Sequence, residues 1–192
     1  MDLKEIQQAL ARLYTDASLR ERFQRDPDQA ARKEGWEQST VAYLARVSAC
    51  RMEQFARQLK GKRLGEVRDL LPRTAEALGG RFTGLFLVYA DISVPSGVHK
   101  HRDDARDFAA WALRHPAECP LNPCERDLLR YESIWLDARS GTFRFRAARF
   151  LHPIHSLSIR SACLAAETPR RHILVIWLRT SAKYRCLALP WL

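Results

Sequence analysis

At Thr142 the spacing of apolar residues changes from three and four to two, and this limits the possible folds more than any other feature of the chain. Before it, apolar side chains recur as on one face of a helix. After it they alternate, or run together, as in strands. A single late change of period places the chain in the α+β class: an N-terminal multi-helix region followed by a small C-terminal antiparallel β-sheet. The expected division is a helical domain over 1–141 and a basic β-sheet domain over 142–192. The 192 residues, 46% of them apolar, are enough for a real core.

The helical part is well punctuated. Ile6, Leu10 and Leu13 share a helical face, and Ser18 with Glu21 offers a capping box for a second helix bearing Leu19 and Phe23. Asp26-Pro27 starts a third segment that Gly35 ends. A long helix is expected from Ser39 to Lys60, its inner face formed by Val41, Leu44, Val47, Phe55 and Leu59, with Gly61 as an interruption. Leu64 to Leu71 continues the pattern to Pro72, Gly79-Gly80 marks a stop, and Phe82 to Tyr89 forms another short helix. Ser93 to His101 reads as a loop, after which Asp103 or Asp104 caps a helix burying Phe108 and Trp111. Asn122-Pro123 opens the last helix, which ends at Gly141.

Beyond it, Thr142 to Leu151 reads as a half-buried strand, with Arg144 and Arg146 facing away from Phe143 and Phe145. His172 to Arg179 reads as a central strand buried on both faces, and Lys183 to Leu189 returns as a hairpin. Pro153 to Ala166 suits a short helix.

Charge follows the same boundary. Of the net +10, residues 142–192 contribute +8, with Glu167 their one acid, and residues 1–141 contribute +2. Such a field attracts an anionic partner. Arg144, Arg146, Arg149, Arg179 and Arg185, beside Lys183, are the candidate peptide-binding residues: an open sheet edge pairs with an extended acidic peptide while guanidinium groups hold its carboxylates. The competing reading is a charged edge that resists aggregation. A nucleic-acid-binding protein with a helical N-terminal domain is the alternative class. The near-neutral helices, with no basic recognition pair, argue against it.

No catalytic set or metal site is expected in this chain. His99-Lys100-His101 suits a solvated loop, and Cys119, Cys124 and His115 lack the second ligand pair of a zinc site. His152 and His155 flank Pro153-Ile154 with no nucleophile pattern around them. Cys50, Cys119, Cys124, Cys163 and Cys186 are odd in number and irregularly spaced, as reduced thiols are. The opening Met1-Asp2-Leu3-Lys4-Glu5 has no apolar export signal, and no apolar run, Ile173 to Leu178 included, exceeds six residues. A bilayer span needs roughly 20 apolar residues, so the expectation is a cytoplasmic chain that does not meet a membrane.

The stretch Leu59-Lys60-Gly61-Lys62-Arg63-Leu64-Gly65-Glu66-Val67-Arg68-Asp69-Leu70-Leu71-Pro72 leads on to Leu78-Gly79-Gly80-Arg81-Phe82. Further along come Asp104-Ala105-Arg106-Asp107-Phe108-Ala109 and Asp127-Leu128-Leu129-Arg130-Tyr131-Glu132. In these stretches and in its helices-then-sheet order, the chain resembles the small partner proteins of multinuclear non-haem iron oxidases, and among them the MbnC family of methanobactin biosynthesis. The resemblance implies a heterodimer with an iron oxidase of MbnB type, acting on a precursor peptide of MbnA type. It implies dioxygen-dependent conversion of cysteines to oxazolone and thioamide groups that become copper ligands. The iron would belong to the oxidase, leaving this chain without a cofactor and with the task of binding the peptide leader.

Overall fold

The computed structural model describes residues 2–95, 99–154, 171–180 and 183–190. Within them lie nine helices and then three strands, the α+β order read from the sequence. The helices are α1 (Leu3–Thr15), α2 (Ala17–Arg25), α3 (Pro27–Glu34), α4 (Gln38–Leu44), α5 (Ala49–Leu70), α6 (Pro72–Leu78), α7 (Gly80–Ile92), α8 (Lys100–Arg114) and α9 (Pro123–Arg139). The strands are β1 (Phe145–Phe150), β2 (Ile173–Thr180) and β3 (Lys183–Pro190). Among the described residues no helix is long and apolar enough to cross a membrane.

The chain forms two compact units, and the division does not fall at residue 141. One unit comprises Met1–Gly65 with Leu87–Val94, the other Glu66–Phe86 with Pro95–Leu192. The sheet therefore shares its unit with α6, α8 and α9.

Aspartates set the rhythm of the first unit. The Asp16 amide donates to the Arg12 carbonyl to end α1, and its carboxylate accepts from the Leu19 amide at 2.8 Å to begin α2. Asp26 does the same between α2 and α3, and Gly35 closes α3 at φ 72°. The expected Ser18 cap is thus displaced by two residues, and Ser18 instead accepts from Arg22 within the helix. Leu13, Leu19, Phe23, Val41, Leu44 and Met52 fill the core of this unit. Arg20 is buried beside it, donating to the Leu13 carbonyl and to Glu53, each at 2.9 Å.

The expected long helix from Ser39 to Lys60 is two helices. The Arg46 and Val47 amides make tight i→i+3 bonds to Tyr43 and Leu44, closing α4, and the Ser48 hydroxyl accepts from the Arg51 amide as α5 begins. Phe55, expected inside, is 45% exposed, while Met52 and Ala56 face the core. Gly61 does not interrupt α5, which runs on to Leu70.

In the second unit the Asn122 carboxamide and the Glu125 carboxylate form a capping box that starts α9. Buried Glu125 also receives the Arg81 guanidinium at 2.8 Å. Buried Glu132 accepts from the Arg73 and Thr74 amides and the Thr74 hydroxyl, fastening the start of α6 to α9. Phe108 of α8 meets Phe82 and Phe86 edge-on, with ring centroids 5.3 and 5.5 Å apart. The expected caps Asp103 and Asp104 lie inside α8, which begins at Lys100 without a side-chain cap.

The sheet has the order β1-β2-β3, antiparallel throughout. One face packs on α9: Ala148, Phe150, Ile173, Val175 and Trp177 enclose Tyr131 and Ile134. The other face is only partly covered, so β2 is buried on one side and not on both. Leu178, Leu187 and Leu189 reach 36%, 53% and 48% exposure on that outer side. The expected helix over Pro153 to Ala166 lies outside the described residues from His155 on.

Candidate functional site

Sheet register decides which side chains share a face. Phe145 pairs with Leu178, Arg146 with Trp177 and Ala148 with Val175, so Arg146 faces α9 along with Ala148 and Phe150. Phe145 faces outward and is 60% exposed. Arg146 and Phe145 do lie on opposite faces, as expected, but with the arginine turned inward, while Phe143, before the strand, packs against the inner cluster. The reason lies on α9: Asp137 accepts from Arg146 at 2.9 Å and from Arg106 at 2.7 Å, drawing Arg146 inward.

The five candidate arginines therefore do not form one cationic surface. Arg146 and Arg179 lie on the inner face, Arg149 and Arg185 on the outer, and exposed Arg144 just precedes β1. The Arg146 guanidinium lies over the Phe143 ring at 5.7 Å, and that of Arg179 over Tyr184 at 5.9 Å. Reversing the charge of Arg146 would disturb its pairing with Asp137 before it disturbed any bound peptide.

The two sheet edges differ. The Arg179 amide donates to the Arg144 carbonyl, so 144 and 179 form a hydrogen-bonded pair, and parity then turns the backbone groups of Phe145, Ala147 and Arg149 away from β2. Side chains of α9 close the far end of this edge. Arg130 donates to the Arg149 carbonyl at 3.0 Å, and one Asp127 carboxylate oxygen accepts from the Leu151 and His152 amides and lies 2.9 Å from His152 Nδ1. His152 is thus a buried structural partner of Asp127. His155 and Cys163 lie outside the described residues.

On β3 the same parity points the N–H and C=O groups of Tyr184, Cys186 and Ala188 away from β2. Among the described residues nothing pairs with them. At the head of this edge a cleft of about 440 Å³ opens between the end of α9 and the β2–β3 hairpin. Trp135, Arg139, Gly141, Arg179, Lys183 and Tyr184 are among the residues that line it, and among the described residues no acidic side chain does.

Sequence reasoning missed Asp127, Arg130 and Asp137. Their signal was a polar stripe at helical spacing, i, i+3 and i+10, along a helix otherwise notable for its aromatic residues. Lys183 lies, as expected, on the strand beside that of Arg179, where it pairs with Thr180; Arg139 was not noticed.

Among the described residues no three His, Cys, Asp or Glu side chains gather as metal ligands do. Cys50 is exposed, while Cys119 and Cys124 are buried free thiols. Burial pushes the Cys119 thiol up to about 11 and raises that of Cys186. Such thiols stay protonated and are poor nucleophiles at neutral pH.

Residues 45–114 match the family model described as SCO6045-like, C-terminal domain. The matched segment spans α5 to α8 and stops short of α9 and the sheet. No curated protein matches the chain.

Proposed function

We propose that this chain is a peptide-binding partner subunit without a catalytic centre of its own. It acts beside an iron oxidase of MbnB type in the cytoplasm and holds the leader of an MbnA-type precursor peptide while the oxidase converts cysteines to oxazolone and thioamide groups. The observation that carries the reading is the β3 edge, where Tyr184, Cys186 and Ala188 present successive peptide groups that nothing among the described residues pairs with. An extended peptide added there gains main-chain hydrogen bonds, and its side chains alternate between the two faces of the sheet. Arg185 and Lys183 offer positive charge beside it on the outer face, in keeping with an acidic leader. The reactive iron and its ligands belong to the oxidase in this arrangement.

The test is a titration of labelled MbnA-type leader into the complex of this chain with an MbnB-type oxidase. Proline is tolerated on an edge strand where its missing N–H faces outward. Ala188→Pro should therefore leave the fold and the heterodimer intact and weaken leader binding at least tenfold, about 1.4 kcal/mol. Unchanged leader affinity in a folded Ala188→Pro complex would remove the β3 edge as the binding site. Failure of the chain to co-elute with the oxidase would remove the partner assignment.

A further inference from the structure

The cleft at the head of β3 concentrates positive charge beyond what the fold needs. A helix C-terminus carries about half a negative charge, which suits one cation. Here Arg139 from the last turn of α9 and Arg179 from β2 converge on one cavity, with Lys183 of β3 at its rim and no lining acid among the described residues. Trp135 and Tyr184 give it an aromatic wall, and the Tyr184 hydroxyl is anchored on the Phe143 carbonyl. Gly141, at φ 74°, lets the turn after α9 pass close to Arg179: a Cβ there would lie 3.2 Å from the Arg179 Nη1. Without a Cβ, Gly141 leaves room beside the turn for that guanidinium.

We infer that this cleft is a carboxylate anchor that sets the register of a peptide added to β3. The inference rests on the peptide-binding reading above and deepens it. A residue paired opposite Tyr184 turns its side chain to the same face as Tyr184, which is the face of the cleft. Residues opposite Cys186 and Ala188 share that face, and there they meet the sheet's apolar inner margin. A strand running antiparallel to β3 thus reads apolar, any residue, apolar, any residue, acidic, with the acid entering last. The continuous peptide edge leading from the cleft favours a peptide carboxylate over a nucleic-acid phosphate.

The probe is a fluorescein-labelled, C-terminally amidated peptide containing Val-Thr-Val-Thr-Glu, compared with the same peptide carrying glutamine in place of glutamate. Full-length chain should bind the glutamate form at least fivefold more tightly. The combined Arg139→Gln and Arg179→Gln variant, folded by circular dichroism, should bind the two alike. Equal affinities in the unaltered chain, or a preference that survives the double substitution, would overturn the anchor. Free glutarate titrated into ¹⁵N-labelled chain reads the cleft without the strand. Saturable shifts at the Gly141 and Tyr184 amides should appear, their absence would overturn the anchor, and stronger binding of inorganic phosphate would overturn the carboxylate assignment. The two proposals separate in Ala188→Pro: loss of peptide binding with glutarate binding kept supports both. Undiminished binding with the glutamate preference intact retains the cleft and removes the strand edge.

Discussion

Trp177 shows how a single residue can be legible in kind and not in detail. Its place in an apolar β-rich run foretold burial, and it is fully enclosed by Tyr131, Trp135 and Phe150, with ring centroids 5.7, 6.4 and 6.3 Å away. Its indole N–H, however, has no partner among the described residues, which no sequence pattern announces. Trp177→Ala should cost about 3–5 kcal/mol in denaturant unfolding, the usual range for deleting a large buried aromatic side chain. Glu132 was hidden in the sequence because a carboxylate on a helix normally faces water. Its burial raises its pKa above the ordinary 4.5, although the Thr74 and Arg73 donors pull the other way. The folded chain therefore holds the Glu132 proton in a window starting near 4.5 where the unfolded chain has released it. Stability from this residue is fully present below that window and is lost as pH rises through it. The stability lost in Glu132→Gln should accordingly be larger near pH 4.5 than near pH 7, in unfolding curves measured across that range. A penalty independent of pH would show that burial does not perturb this carboxyl.

Helices were easier to read than strands because their stops are chemical. Asp26-Pro27, Gly35 and Asn122-Pro123 each do what their side chains dictate, and those boundaries stand. Arg146 was expected on an exposed cationic face, but it shares the parity of Ala148 and Phe150, which α9 buries. One acid, Asp137, at ion-pair distance from Arg146, settles which side is in, and a hydrophobic pattern does not weigh such a partner. Gly61 misled in the other direction, since a glycine reads as a stop until flanking helix formers carry the helix through it. Both Gly61 and Gly65 are exposed within α5, and a Cβ at either would meet nothing within 4 Å. Gly61→Ala and Gly65→Ala should each raise stability by roughly 0.4–1 kcal/mol, chiefly by restricting the unfolded chain. An unchanged or lowered thermal midpoint would mean that the helix there is not continuous.

At the scale of the molecule, the two compact units interleave in sequence, which a division at one boundary could not express. α5 and α7 each contribute residues to both units. The segment 45–114, matched by the family model, takes part of each and lacks the partners of both. It leaves Met52 without Leu13, Leu19 and Phe23, and it leaves Thr74 and Arg81 without Glu132 and Glu125. A fragment of residues 45–114 should consequently show little of the helical circular dichroism of the same segment in the whole chain, and no cooperative thermal transition. A cooperative transition would make it an independent domain. The unequal sheet edges also bear on assembly. Two copies meeting β1 against β3 would repeat without end, as heterologous contacts do, but Arg130 and Asp127 obstruct one side of that joint. β3 against β3 meets no such obstruction among the described residues, and it would be symmetric: each copy would use its open edge on the other, leaving none to recruit a third. An edge obstructed at one end would thus limit such strand pairing to two copies, and a peptide captured on β3 would compete with it.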